Sequence, residues 1–254
     1  MCTYMSDANL LLNGISNIVA DGGTSLCDSL EYATDRHSTI LKTETITRMI
    51  QISDVRKKYG KKTILDGIDL HAECGEQIAV IGGNGSGKTT LLRIMSGIIK
   101  PDGGTLTYFG HDMLAERRQI TKFCGYLPQE NPLITELSVQ DNIRLWTGRF
   151  RSKDEKLIRL FELEDILKTR VSELSGGMKR RVSIACALAM WPPIMIMDEP
   201  TTALDIYYKD SVHKLMNEYK KMNGILIIST HDREEMDMSD HCLELKNGVF
   251  SKIK

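Results

Sequence analysis

No apolar run in this chain approaches the roughly 18 residues that a membrane-crossing helix requires. Nor does a basic leader followed by an apolar stretch open the sequence, so no secretory signal is expected. The six cysteines (Cys2, Cys27, Cys74, Cys124, Cys186 and Cys242) include no C-x-x-C pair and no histidine at zinc-ligand spacing. That pattern argues against a metal or disulfide framework and for reduced thiols in a cytosolic protein. A surplus of one charge is also missing: 33 basic residues face 34 acidic ones, for a net charge of −1. No block of like charge is long enough to act as a binding tail, so no nucleic-acid partner is expected on charge alone. The chain has no internal repeat and no low-complexity segment. Any role at a membrane must then come through a partner.

What is present is 254 residues of ordinary globular composition, 41% hydrophobic and 26% charged, enough for one large or two small domains. Residues 1–48 mix short apolar and polar pieces without sustained period. They are read as a loosely ordered extension or as residues upstream of the true start, with a regulatory element as the third alternative. From Met49 the pattern sharpens, and the folded unit is expected over residues 49–254. Met49–Val55 and Thr63–Leu70 alternate as strands around a turn at Tyr59-Gly60. Gln77–Ile81, Ile194–Met197 and Ile225–Ile228 are short strands apolar on both faces, which belong to a sheet covered on both sides and make the fold α/β. Ser138 to Arg170 reads as mostly helical, part of a small helical insertion at about residues 130–190.

Gly82-Gly83-Asn84-Gly85-Ser86-Gly87-Lys88-Thr89 fits G-x-x-x-x-G-K-[ST] between a buried strand and a helix starting at about Lys88. Glycines let the backbone curl until its N–H groups point at phosphate oxygens, and the helix amino-terminus adds partial positive charge. Lys88 then reaches the β- and γ-phosphates and the Thr89 hydroxyl ligates Mg²⁺. Gly82, Asn84, Gly85, Ser86, Gly87, Lys88, Thr89 and Thr90 are the expected contacts to the nucleotide.

Two further stretches carry chemistry. Ile194-Met195-Ile196-Met197 ends in Asp198-Glu199, and ligands of open α/β sheets sit at the carboxyl ends of strands. Such a pair is often an ordinary acidic turn. Beside a phosphate loop, Asp198 reads as the residue holding Mg²⁺ and Glu199 as the base that activates water. In Leu174-Ser175-Gly176-Gly177-Met178, a hydroxyl and two side-chain-free N–H groups open the helix Lys179–Ala189. By itself this reads better as a serine cap and a glycine turn; the alternative is a second phosphate-binding device. Lys88 and its loop already surround one triphosphate.

Taken in order, these motifs resemble the ATP-binding subunits of ABC transporters, from Met49 to roughly Phe250. The resemblance implies a P-loop NTPase with a RecA-like parallel sheet core, an antiparallel β subdomain and the helical insertion. It implies that Ser175, Gly176 and Gly177 hold ATP bound by a second copy, in a head-to-tail dimer around two ATPs. Met178 stands where the family usually has glutamine. Tyr59 matches the aromatic that stacks on adenine; the alternative is a turn tyrosine packed beside Lys58 and Lys61. Gln129 matches the glutamine that joins Mg²⁺ to the insertion and the membrane partner, and Asp205, in Ala203-Leu204-Asp205, the loop crossing the dimer interface. His231, after Ile225–Ile228, matches the histidine that contacts the γ-phosphate.

The implied activity is ATP hydrolysis with Mg²⁺ by Glu199, His231, Lys88 and Gln129, in a bacterial homodimer. It drives a separate transmembrane permease from the cytoplasmic face of the cell membrane. YLPQENPLITELSVQDNIRLW, Tyr126 to Trp146, looks most like exporter subunits, and the chain stops soon after its last strand, without the carboxy-terminal domain of many sugar importers. Leu133, Ile134, Leu137 and Trp146 are expected as exposed apolar residues, either a docking groove or the packing face of the insertion. The other reading retained is a soluble ABC ATPase of the iron–sulfur assembly type, with no membrane partner. One phosphate loop argues against two-unit ribosome-associated relatives, and the ~85 residues between Thr89 and Ser175 leave no room for the long coiled coil of DNA-repair relatives.

Overall fold

A computed structural model describes residues 49–147, 157–159, 161–189 and 191–253. The expected extension over residues 1–48 lies outside them. The strands are β1 (Ile50–Tyr59), β2 (Lys62–Ala72), β3 (Gln77–Ile81), β4 (Gly103–Tyr108), β5 (His111–Asp112), β6 (Cys124–Leu127), β7 (Ile194–Asp198), β8 (Ile225–Ser229), β9 (His241–Lys246) and β10 (Val249–Lys252). The described helices are α1 (Lys88–Met95), α2 (Ile120–Phe123), α3 (Val139–Thr147), α4 (Gly176–Leu188), α5 (Ile206–Lys221) and α6 (Arg233–Met238).

Strand β1 buries Ile50, Ile52 and then Val55, an odd step that strict alternation forbids. A register shift against β2 between Ile52 and Val55 absorbs the extra residue, with Asp54 at φ 50° and its N–H donating to Asp69 Oδ1 at 3.0 Å. The result is an antiparallel sheet in the order β2-β1-β4-β5. A second sheet runs β10-β9-β3-β8-β7-β6, parallel from β9 to β6, with β10 antiparallel at its edge.

Alternate residues of the parallel strands feed two separate cores, which is why these strands are apolar throughout. Ala79, Met195, Met197, Leu226 and Ile228 face α4, α5 and the insertion. Ile78, Val80, Ile194, Ile196, Ile225 and Ile227 face α1 and the antiparallel sheet, where Tyr108 is fully buried and donates to Met95 O at 2.6 Å.

Between Leu127 and α4 the structure describes only part of the expected helical insertion. It holds α3, a short helical piece at 157–159, and single 3₁₀ turns at Glu164–Ile166 and Val171–Glu173. Glu162, at φ 49°, breaks the helical path just before the first of those turns. Ile134 and Trp146 are exposed as expected, but Leu133 packs partly buried against the core and Leu137 is half-buried. Cys124, Cys186 and Cys242 are free thiols.

Candidate nucleotide-binding site

Four neighbouring parallel strands, β3, β8, β7 and β6, end at the same edge of the sheet, and each loop leaving them carries a predicted site residue. The loop after β3 turns into α1 through Gly87, the helix cap, at φ 111°, where an added Cβ would meet Ile64 Cγ2 at 3.0 Å. At Gly82, φ 145°, a Cβ would lie 2.5 Å from the Leu245 carbonyl oxygen, so only glycine passes there. Lys88 is buried, its Nζ donating to Gly82 O at 2.7 Å and Gly83 O at 3.3 Å. Burial lowers its pKa, opposed by the charges of Glu199 and Asp198. Together with Ile64, Gln129 and Glu199, residues Asn84 to Thr90 line a cleft of about 460 Å³.

Asp198 ends β7 fully enclosed at 1% exposure, and its Oδ1 accepts a hydrogen bond from the Ser229 hydroxyl. Its other oxygen, Oδ2, is buried with no hydrogen-bond partner. Glu199 follows at φ 50°, a left-handed backbone that a non-glycine residue adopts only under constraint. Its N–H is shared between Ser229 O and Oγ, each at 3.1 Å. Its Oε2 accepts from Gln129 Nε2 at 3.2 Å and Thr202 Oγ1 at 3.1 Å. His231 Nε2 lies 3.8 Å from Glu199 Oε1 and 3.3 Å from Lys88 Nζ.

Among the described residues no group of three or more Asp, Glu, His or Cys is placed to hold a metal. A cation here would rest on few protein ligands, which fits Mg²⁺, an ion bound through one or two carboxylates, water and substrate phosphates. The unpartnered Asp198 Oδ2 is the donor with capacity to spare.

Other predicted residues stand apart from this cleft. Ser175 caps α4, its Oγ accepting from Met178 N at 3.3 Å, and Gly176 is exposed with nothing within 4 Å of where a Cβ would sit. Neither they nor Gly177 line the cleft. Asp205 caps α5, accepting from Tyr208 N at 3.1 Å. Tyr59 is half exposed at the end of β1, paired with Lys62, which does line the cleft. The lysine against its ring is Lys57, 5.6 Å from the centroid.

Three groups escaped the sequence reading. Ser229 bridges the two carboxylate positions from the neighbouring strand. Arg180, inside the expected helix Lys179–Ala189, is 3% exposed beside the site, and burial lowers its pKa to about 10 against the charges of Asp198, Glu199, Glu235 and Tyr126. Thr201 donates to the buried Glu235 at 2.7 Å, with His213 Nε2 3.6 Å from the same carboxylate oxygen. The one sequence signal for these was an arginine pair on an otherwise apolar helix.

A phosphate loop opening a helix at the carboxyl edge of a parallel sheet, with an acidic pair at the neighbouring strand end, defines a P-loop nucleotide-binding domain. The ABC transporter family profile matches residues 65–202, more than half of the chain. Nod factor export ATP-binding protein I of Paraburkholderia xenovorans is 36% identical over 202 residues, covering 76% of this chain and 66% of that protein. Sulfate/thiosulfate import ATP-binding protein CysA of Bradyrhizobium diazoefficiens is 32% identical over 217 residues, covering 80% and 63%. A solved dimeric post-hydrolysis state of an ATP-binding cassette bound to ADP and phosphate superposes with a TM-score of 0.74 at 28% identity, over 81% of this chain and 98% of that one. The chain belongs to the ABC transporter ATP-binding family, and the matched region spans about two thirds of the length of these curated relatives.

Proposed function

We propose that this chain binds ATP with Mg²⁺ and hydrolyses it as the ATP-binding subunit of an ABC transporter. In this reading it pairs with a second copy and drives a separate transmembrane permease. The observation that carries it is the convergence of Gln129, Glu199, His231 and Lys88 at the mouth of the phosphate loop. Thr89, Gln129 and Asp198 would hold the Mg²⁺, which when bound neutralises charge on the phosphates. Loop N–H groups from Gly82 to Thr90 bind the triphosphate, with Tyr59 against adenine. Glu199 takes the proton of the attacking water as that oxygen bonds to the γ-phosphorus and the bond to the ADP oxygen breaks. Gln129 orients the carboxylate, and Lys88 and His231 hold the negative charge of the transferring group.

Ser175-Gly176-Gly177, exposed at its first two residues and standing off from its own cleft, serves the ATP of the second copy, and Asp205 lies at the same interface. The solved relative bound to ADP and phosphate is itself dimeric, which supports this arrangement. No described helix is long and apolar enough to cross a membrane; in this reading the chain is held at the cytoplasmic face by its permease. The resemblance of Tyr126 to Trp146 to exporter subunits, with the Nod factor export relative, supports export. The test is phosphate release and ATP-dependent dimerisation of the purified chain, beside Ser175→Arg. The variant keeps ATP binding and loses the dimer. A parent that neither binds nor hydrolyses ATP sinks the reading; an unaffected dimer in the variant sinks the role of the two glycines.

A further inference from the structure

The buried guanidinium of Arg180 makes five hydrogen bonds, all of them to main-chain carbonyls. Nε donates to Pro200 O at 3.1 Å; Nη1 to Pro128 O at 2.6 Å and Gln129 O at 3.3 Å; Nη2 to Asp198 O at 2.9 Å and Glu199 O at 2.7 Å. Five N–H groups are all that an arginine has. The acceptors fall in two segments, one leaving β6 and one leaving β7, and these are the segments that carry Gln129 and Glu199. The carbonyls on both sides of Glu199 are held, and Glu199 is the residue at φ 50°. The Gln129 and Glu199 side chains then meet at 3.2 Å.

We propose that Arg180 is a positioning residue for hydrolysis: it holds the left-handed turn at Glu199 and the loop at Gln129 in register, so that α4 becomes part of the catalytic frame of its own subunit. The geometry is specific to a guanidinium. Lysine has three donors on one nitrogen and cannot span both segments; glutamine has two, and its carbonyl oxygen would face other carbonyls. Because α4 begins at Gly176 and Arg180 lies in its second turn, the surface offered to the second ATP and the side chain that holds the backbone at Glu199 sit on one stretch of helix.

This inference rests on the proposed ATPase reading, and the test separates the two. The neighbouring Arg181 is an internal control: also buried, it donates to Phe161 O at 2.9 Å and stacks over Tyr208 at 4.0 Å, away from the cleft. ATP affinity, kcat, KM and melting temperature are measured for the full chain and for Arg180→Gln, Arg180→Lys and Arg181→Gln. Arg180→Gln is expected to bind ATP within about threefold of the parent while kcat falls at least about tenfold, since a small displacement of a reacting group costs that much. Arg180→Lys recovers stability but not kcat, and Arg181→Gln loses stability with kcat nearly intact. If Arg180→Gln does not fold, Arg180→Lys decides, and parental kcat in that variant overturns the proposal. Equal kcat losses in Arg180→Gln and Arg181→Gln at equal stability overturn it too. A parent chain without ATPase activity overturns the enzymatic reading instead.

Discussion

Replacing Ser229 by alanine removes one oxygen and touches both carboxylate positions. The Ser229 hydroxyl is fully buried, donates to Asp198 Oδ1 and accepts from the Glu199 N–H. The Glu199 N–H keeps Ser229 O as an acceptor, so its loss is partial. Asp198 is worse placed: Oδ2 is already without a partner, and the variant takes away the hydroxyl donor of Oδ1 in a setting 1% exposed. A hydrogen bond to a charged group contributes about 1.5–3 kcal/mol, and no solvent screens this one. In a domain of this size each kcal/mol moves the melting temperature by about 2–4 °C, so Ser229→Ala is expected to melt about 3–12 °C lower. Under the proposed mechanism kcat drops about tenfold or more with ATP affinity nearly kept, because the turn carrying Glu199 is loosened. Thermal unfolding by circular dichroism and phosphate release give both readings. A shift below about 1 °C would refute the reasoning, since it would mean that the buried carboxylate does not depend on this donor.

Two further outcomes follow from the same structure. His213, buried on α5, has Nε2 3.6 Å from Glu235 Oε1 and Nδ1 3.5 Å from Glu234 Oε1, and its interaction with Glu235, then the charges of Glu234 and Asp232, raise its pKa above the ordinary 6.5 against the effect of burial. A raised folded-state pKa means stabilisation that is complete below pH 6.5 and lost as pH climbs through the higher value. The parent should therefore lose melting temperature over that rise more steeply than His213→Gln; parallel curves would exclude the pairing. Tyr59→Ala is expected to weaken ATP binding about tenfold, the scale of one aromatic–base stacking contact, measured by titration with a fluorescent ATP analogue. Unchanged affinity would return Tyr59 to a turn residue beside Lys57.

Local features of the fold were the legible ones. The phosphate loop is eight consecutive residues between a strand and a helix, so its chemistry is written in one place. The parallel strands announced themselves because both faces are buried, and alternate residues such as Ile194 and Met195 go to different cores. Ser229 and Arg180 were not legible, for a common reason. Ser229 acts on a strand 30 residues away and Arg180 on carbonyls up to 52 residues away, and a serine or an arginine in sequence carries no record of such partners. Carbonyl acceptors leave no trace in side-chain pattern at all. The bulge at Asp54 was equally invisible, since the strand was read as simple alternation. Leu133 follows the packing alternative, and an apolar residue in a charged stretch carries no sign of the core beneath it.

The central claim, that Glu199 is the base of an ATP-hydrolysing site, is met most directly by Glu199→Gln. The amide keeps the size of the side chain and its contacts with Gln129 and Thr202, but it cannot accept the proton of water. Phosphate release and light scattering in MgATP should show hydrolysis slowed by about 10²–10⁴-fold, ATP binding retained and a dimer that persists. Hydrolysis at the parental rate would contradict the account and remove Glu199 from the reaction.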